Sequence, residues 1–120
     1  DVPKTKPTKK YIFQRVPSGY YRGEAQVFVE TKDKCKCLYP LQHVLFHSTD
    51  GFEWGYGGSG PADLARSVLY DALGRRFADT FYQSFKWEFI SRLAYEGGEI
   101  TEEKIRKWAE NRIAELEAIQ

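Results

Sequence analysis

Apolar residues recur at every second position in the first third of the chain, and at every third or fourth position from about residue 61 onward. The first period predicts strands and the second helices. Lys10–Val16 reads as a strand, because Tyr11, Ile12 and Phe13 are strong strand formers. Pro17-Ser18-Gly19 signals a turn. Tyr20–Thr31 follows as a second strand, with Ala25, Val27 and Val29 alternating against Glu24, Gln26 and Phe28. After the polar turn Thr31-Lys32-Asp33-Lys34, Cys35–Tyr39 reads as a third strand that Pro40 ends. His43–His47 and Phe52–Trp54 are two further short apolar segments suited to strands.

From Pro61 the apolar series is Leu64, Ala65, Val68, Leu69, Ala72 and Leu73, an amphipathic helix stopped at Gly74. A second helix is expected from about Ala78 to Ala94, with Phe81, Phe85, Phe89 and Leu93 repeating every four residues, until Gly97-Gly98 breaks it. Thr101 then offers an N-cap, with Glu102 and Glu103 in the first turn, where the helix dipole favours acids. Ile105, Trp108, Ile113 and Leu116 form that helix's expected buried stripe, and Glu102–Arg106 and Glu103–Lys107 make i,i+4 pairs on its wet face. Strands first and helices afterwards predict an α+β fold: a small antiparallel sheet of three to five strands in the N-terminal half, packed against two or three C-terminal helices.

A length of 120 residues fits one domain. Pro3, Pro7 and four lysines against Asp1 make residues 1–10 a flexible basic arm, with residues 11–120 as the single folded unit. Rings make up 16% of the chain, enough to supply a compact core without long aliphatic runs. Those runs are only a few residues long, so no membrane span and no signal-peptide core is expected. A net charge of +1 argues against a globally basic nucleic-acid binder. Cys35 and Cys37 stand too close for a relaxed disulfide, which points to a reducing compartment and a cytoplasmic location.

The segment Gly51–Ala65 changes the picture most. Four glycines in the six residues Gly55–Gly60 are costly in chain entropy, and they permit positive φ angles or close approach to the backbone. Pro61 suits the first helical position, with Ser59 or Gly60 as the cap and Asp63 in the first turn. Such a loop presents backbone N–H groups at the positive end of a helix, a physical recipe for holding an anion. Asp63 would compete with that anion. The candidate ligand-binding residues are Trp54, Tyr56, Gly57, Gly58, Ser59, Gly60 and Asp63. The plainer reading is a tight connection packed under Trp54 and Tyr56. Gly55–Gly60 matches G-x-G-x-x-G, but helices follow where a dinucleotide fold needs a strand carrying an acid. Pro61 stands where a P-loop needs lysine, and again where a hydrolase elbow around Ser59 needs its second glycine.

Other chemistry is sparser. Cys35-x-Cys37 with His43 and His47 has zinc-ligand residue types. On a strand, however, the two histidines would stand roughly 13 Å apart, so neither a metal nor a cofactor is expected. His47 with Glu53 or Asp63 could perform acid–base work beside the loop. Tyr20, Tyr21, Phe28, Trp54 and Tyr56, with Arg15 and Arg22, could stack on bases, although rings at this density more often form a core.

The block Gly51–Ala65, with Tyr21-Arg22-Gly23, Pro40-Leu41, His47-Ser48, Tyr82-Gln83-x-Phe85-Lys86 and Ile105-x-x-Trp108, resembles the uncharacterised domain-of-unknown-function family 6166 of small bacterial and phage-associated proteins. The resemblance covers roughly residues 20–110 and implies no activity. Thr49 stands where that pattern has proline, and the cysteine pair and the lysine arm lie outside it. The leading expectation is a small non-enzymatic binding module using the glycine-rich loop toward a protein partner or a small anion. The alternatives are a small hydrolase or transferase, a nucleic-acid-associated accessory protein, and a purely structural loop.

Overall fold

In a computed structural model of the chain, all residues are described except 1, 4, 19, 20, 33–36, 45–50 and 120, and the side chains of 17, 18 and 21–23. The N-terminal alternation becomes an antiparallel pair, β1 (Lys9–Ser18) and β2 (Tyr21–Thr31), in register from Lys9 opposite Thr31 to Val16 opposite Glu24. β3 (Cys37–Pro40) adds to the free edge of β2, so Pro40 is the last residue of the strand it ends. β4 (Gly97–Thr101) adds to β1, giving the order β3-β2-β1-β4 with every pairing antiparallel. Tyr11, Phe13, Val27, Val29 and Ile100 point into the core, while Gln14 and Glu99 take the opposite face in water.

Two expectations about strands are corrected. Phe52–Trp54 is not a strand: Gly51 and Gly55 bracket it with φ of 84° and 89°, and Trp54 turns into the core instead of joining a ladder. Gly97-Gly98 does not merely break a helix but opens β4, whose pairing with β1 is tertiary.

α1 (Ser59–Leu73) ends at Gly74, where φ of 94° fits the expected glycine stop. α2 (Arg75–Phe85) begins at once, earlier than expected, with the exposed Arg75 and Arg76 ahead of its first core-packed residues, Phe77 and Ala78. It then widens into a π-helical turn, Lys86–Ile90, with the Ser91 N–H donating to the Lys86 carbonyl at 2.7 Å. The turn inserts one residue into the stripe. Fully buried Phe85 is therefore followed by fully buried Ile90, five positions on, while Phe89 is only partly covered and the helix stops short of Ala94.

α3 (Glu102–Ile119) starts as expected, with the Lys104 N–H donating to Thr101 Oγ1 at 3.2 Å. Ile105, Trp108 and Ala109 are buried, Ile113 only partly, and Leu116 is exposed, so the buried stripe ends halfway along the helix. Glu103–Lys107 is a wet pair, but Glu102–Arg106 is buried, contrary to expectation. Among the described residues no helix is long and apolar enough to cross a membrane.

One polar knot ties α1 to the sheet. Asp71 accepts hydrogen bonds from Tyr11 Oη at 2.6 Å, Tyr39 Oη at 2.9 Å and Lys9 Nζ at 3.1 Å. Burial first, then the Asp71 charge, raises the Tyr11 phenol well above its ordinary value; burial, then the bond to Asp71, raises Tyr39 in the same direction. Unfolded tyrosines ionise near pH 10 while this pair stays protonated in the fold. Their contribution to stability is therefore complete below about pH 10 and lost progressively above it, at up to about 1.4 kcal/mol per pH unit for each phenol. Phenolate absorbance followed alongside circular dichroism is expected to show two late ionisations that coincide with unfolding. Ionisation of every tyrosine in the folded state would refute this account.

Candidate functional site

The glycine loop is shaped by close approach as much as by dihedral angle. A Cβ on Gly57 would sit 2.1 Å from Trp87 Cη2, and one on Gly58 would sit 2.6 Å from Tyr56 Cε2. A Cβ on Gly60 would meet Glu53 Cβ at 2.9 Å and the Gly51 carbonyl oxygen at 3.2 Å. The end of the π turn is stitched to the loop by the Gly55 N–H, which donates to the Ile90 carbonyl at 3.0 Å.

α1 is capped by Gly58 without a side-chain hydrogen bond, and its first helical bond runs from the Ala62 N–H to the Gly58 carbonyl at 3.0 Å. Pro61 therefore occupies the third helical position and Asp63 the fifth, each later than the sequence suggests. Among the described residues, the N–H groups of residues 57–60 meet no acceptor.

Asp63 does not turn toward those amides. It is 1% exposed, and Oδ2 lies 2.9 Å from His43 Nε2, whose ring stacks on Phe52 at a centroid distance of 4.5 Å. His47 lies outside the described residues. Glu53 is engaged elsewhere: its oxygens take Arg15 Nη2 at 2.9 Å and Nη1 at 3.3 Å. That guanidinium lies 4.5 Å from the Trp54 ring centroid and 4.0 Å from that of Tyr95. Trp54 is 2% exposed and donates Nε1 to the Tyr95 carbonyl at 3.1 Å, which makes it a wall behind the loop. Tyr56, by contrast, is 53% exposed at the loop's mouth.

The rest of the proposed stacking surface is dispersed. Phe28 lies on the sheet, Tyr20 is outside the described residues, and the side chains of Tyr21 and Arg22 are not described. Cys37 is exposed on β3, and Cys35 lies outside the described residues. Among the described residues no group of three His, Cys, Asp or Glu could hold a metal.

Sequence reasoning missed Lys86 and Trp87. Trp87 is 55% exposed and lies against Gly57, while Lys86 is only 7% exposed with Nζ 4.4 Å from the Trp87 ring centroid. The available signal was an aromatic residue off the phenylalanine stripe, directly after the Lys86 of a family-like motif. His43 was considered only as a metal ligand, not as the partner of Asp63.

The model of a family described as "Family of unknown function (DUF6166)" matches residues 18–111. The chain belongs to this family. The DUF6166 match contains the whole loop, His43, Asp63, Lys86 and Trp87, and it leaves most of β1 and the end of α3 outside. No curated protein and no solved structure matches the chain.

Proposed function

We propose that this DUF6166 domain is a small non-enzymatic binding module whose recognition surface is the glycine-rich loop at the start of α1. One observation carries the reading: the N–H groups of residues 57–60 meet no acceptor among the described residues, and the exposed rings of Trp87 and Tyr56 lie against Gly57 and Gly58. They stand at the positive end of a 15-residue helix, where an anion is favoured. A reducing, cytoplasmic setting belongs to this reading and rests on the Cys35/Cys37 spacing. The test is a titration of the folded chain with inorganic phosphate, followed by backbone amide resonances. Saturable shifts centred on residues 57–60 are expected. Unmoved loop amides would leave the loop a purely structural connection.

A second reading, a small hydrolase or transferase, is favoured by the His43–Asp63 contact of 2.9 Å beside the loop. There Asp63 would orient the imidazole, and the other ring nitrogen would move a proton. The binding reading expects no turnover of activated esters or phosphate esters. Turnover abolished by His43→Gln, with the fold intact, would replace it by the second.

A further inference from the structure

We infer that this loop, if it is the recognition surface proposed above, takes a nucleotide, with the phosphate on the amides of residues 57–60 and the Lys86 ammonium and the base against Trp87 and Tyr56. The observation that points to a ligand is Lys86. A lysine that is 7% exposed is ordinarily paired with an anion. Among the described residues the Lys86 ammonium makes no ion pair and no hydrogen bond; it lies against the face of the Trp87 ring, while the Lys86 backbone is bonded within the helix. Among the described residues, three carboxylates of the loop and of the helices beside it have other partners. Glu53 holds Arg15, Glu88 accepts from Trp108 Nε1 at 3.1 Å, and Asp63 faces His43. The Lys86 ammonium and the Gly57 backbone thus lie against one indole ring, and among the described residues no carboxylate pairs with Lys86.

The π turn makes the arrangement: it draws Lys86 inward while leaving the next residue, Trp87, exposed. Turns of this kind are frequent at functional sites. The aromatic walls separate a nucleotide from a bare anion. Trp87 and Tyr56 each lie over a glycine that has no side chain to block them, and each keeps about half its surface in water. An inorganic anion has no use for such surfaces, whereas a base stacks on them whatever its sequence. A free mononucleotide and a unit of single-stranded nucleic acid share this chemistry.

The experiment titrates the full chain with ribose 5-phosphate, AMP and a short oligothymidylate, following the amides of residues 57–60 and the Trp87 indole N–H. AMP is expected to move both sets and to bind about tenfold or more tightly than ribose 5-phosphate. Trp87→Leu, at an exposed position, is expected to reduce AMP to the ribose 5-phosphate level while leaving ribose 5-phosphate unchanged. Lys86→Met is expected to weaken all three probes about tenfold or more. Much tighter binding of the oligothymidylate than of AMP would identify a single strand as the source, and equal binding a mononucleotide. If AMP and ribose 5-phosphate bind alike, or Trp87→Leu changes nothing, the nucleotide inference is overturned while the anion-binding loop stands. If no probe moves the loop amides, both fall.

Discussion

Gly97→Ala is expected to cost about 4 kcal/mol, the largest loss from a methyl added at any of the described glycines. Gly97 opens β4 with φ of 109°, a conformation that L side chains rarely adopt. A Cβ there would lie 2.0 Å from the Phe13 carbonyl oxygen and 2.7 Å from its carbon. These atoms belong to the backbone of β1, so nothing flexible can swing aside. The methyl must push β4 off its partner, breaking the register in which Gly97 faces Gln14 and Gly98 faces Phe13. Domains of this size hold about 5–15 kcal/mol in all, so the variant should be marginally folded at room temperature. Gly98→Ala is the control, because its Cβ would meet only Leu93 Cδ2, at an ordinary 3.6 Å. Urea unfolding should separate the two variants by several kcal/mol. Equal midpoints would show that β4 yields easily and that the close approach is not what fixes glycine there.

The same strand marks where sequence reading stops. β2 was legible because its buried Val27 and Val29 alternate with residues on the other face, so the period is written in the side chains. β4 is Gly-Gly-Glu-Ile-Thr, with one apolar residue, Ile100, and two positions that have no side chain at all. Its identity comes from the β1 edge it completes. The π turn is silent for a related reason: a spacing of four through Phe81, Phe85 and Phe89 looks continuous, and nothing local announces the extra residue before Ile90. At the site, the cluster of glycines, Tyr56 and Asp63 were legible because they are contiguous. Lys86 and Trp87 join them only after α2 packs back on the loop, and His43 meets Asp63 only in the folded chain.

Burial, too, escapes a spacing rule, and the second large effect follows from it. Glu102 and Arg106 stand at i,i+4, a spacing that on a wet helix face contributes a few tenths of a kcal/mol. Here both are buried. Glu102 Oε2 accepts from Arg106 Nη2 at 2.7 Å, and Oε1 accepts from the backbone N–H groups of Thr8 and Lys9, each at 3.0 Å. Arg106 also donates to the carbonyls of Pro3 and Thr5, so the pair fastens the chain leading into β1 onto α3. Glu102→Ala would leave a buried guanidinium without its counter-ion and two backbone donors without an acceptor, and about 3–5 kcal/mol is expected to be lost. Glu102→Gln keeps an acceptor for the two amides and loses the charge, so about 1–3 kcal/mol is expected. Removing both charges should be milder than the single loss implies. Glu102→Ala with Arg106→Leu is expected to cost less than the sum of the two separate changes, because the second replacement removes the charge that the first strands. Hydrogen exchange supplies the local readout: the Thr8 and Lys9 amides should lose protection in Glu102→Ala before the rest of β1. A loss within about 0.5 kcal/mol, as for an ordinary surface change, would show that water replaces the carboxylate and that the chain ahead of β1 is not held by it.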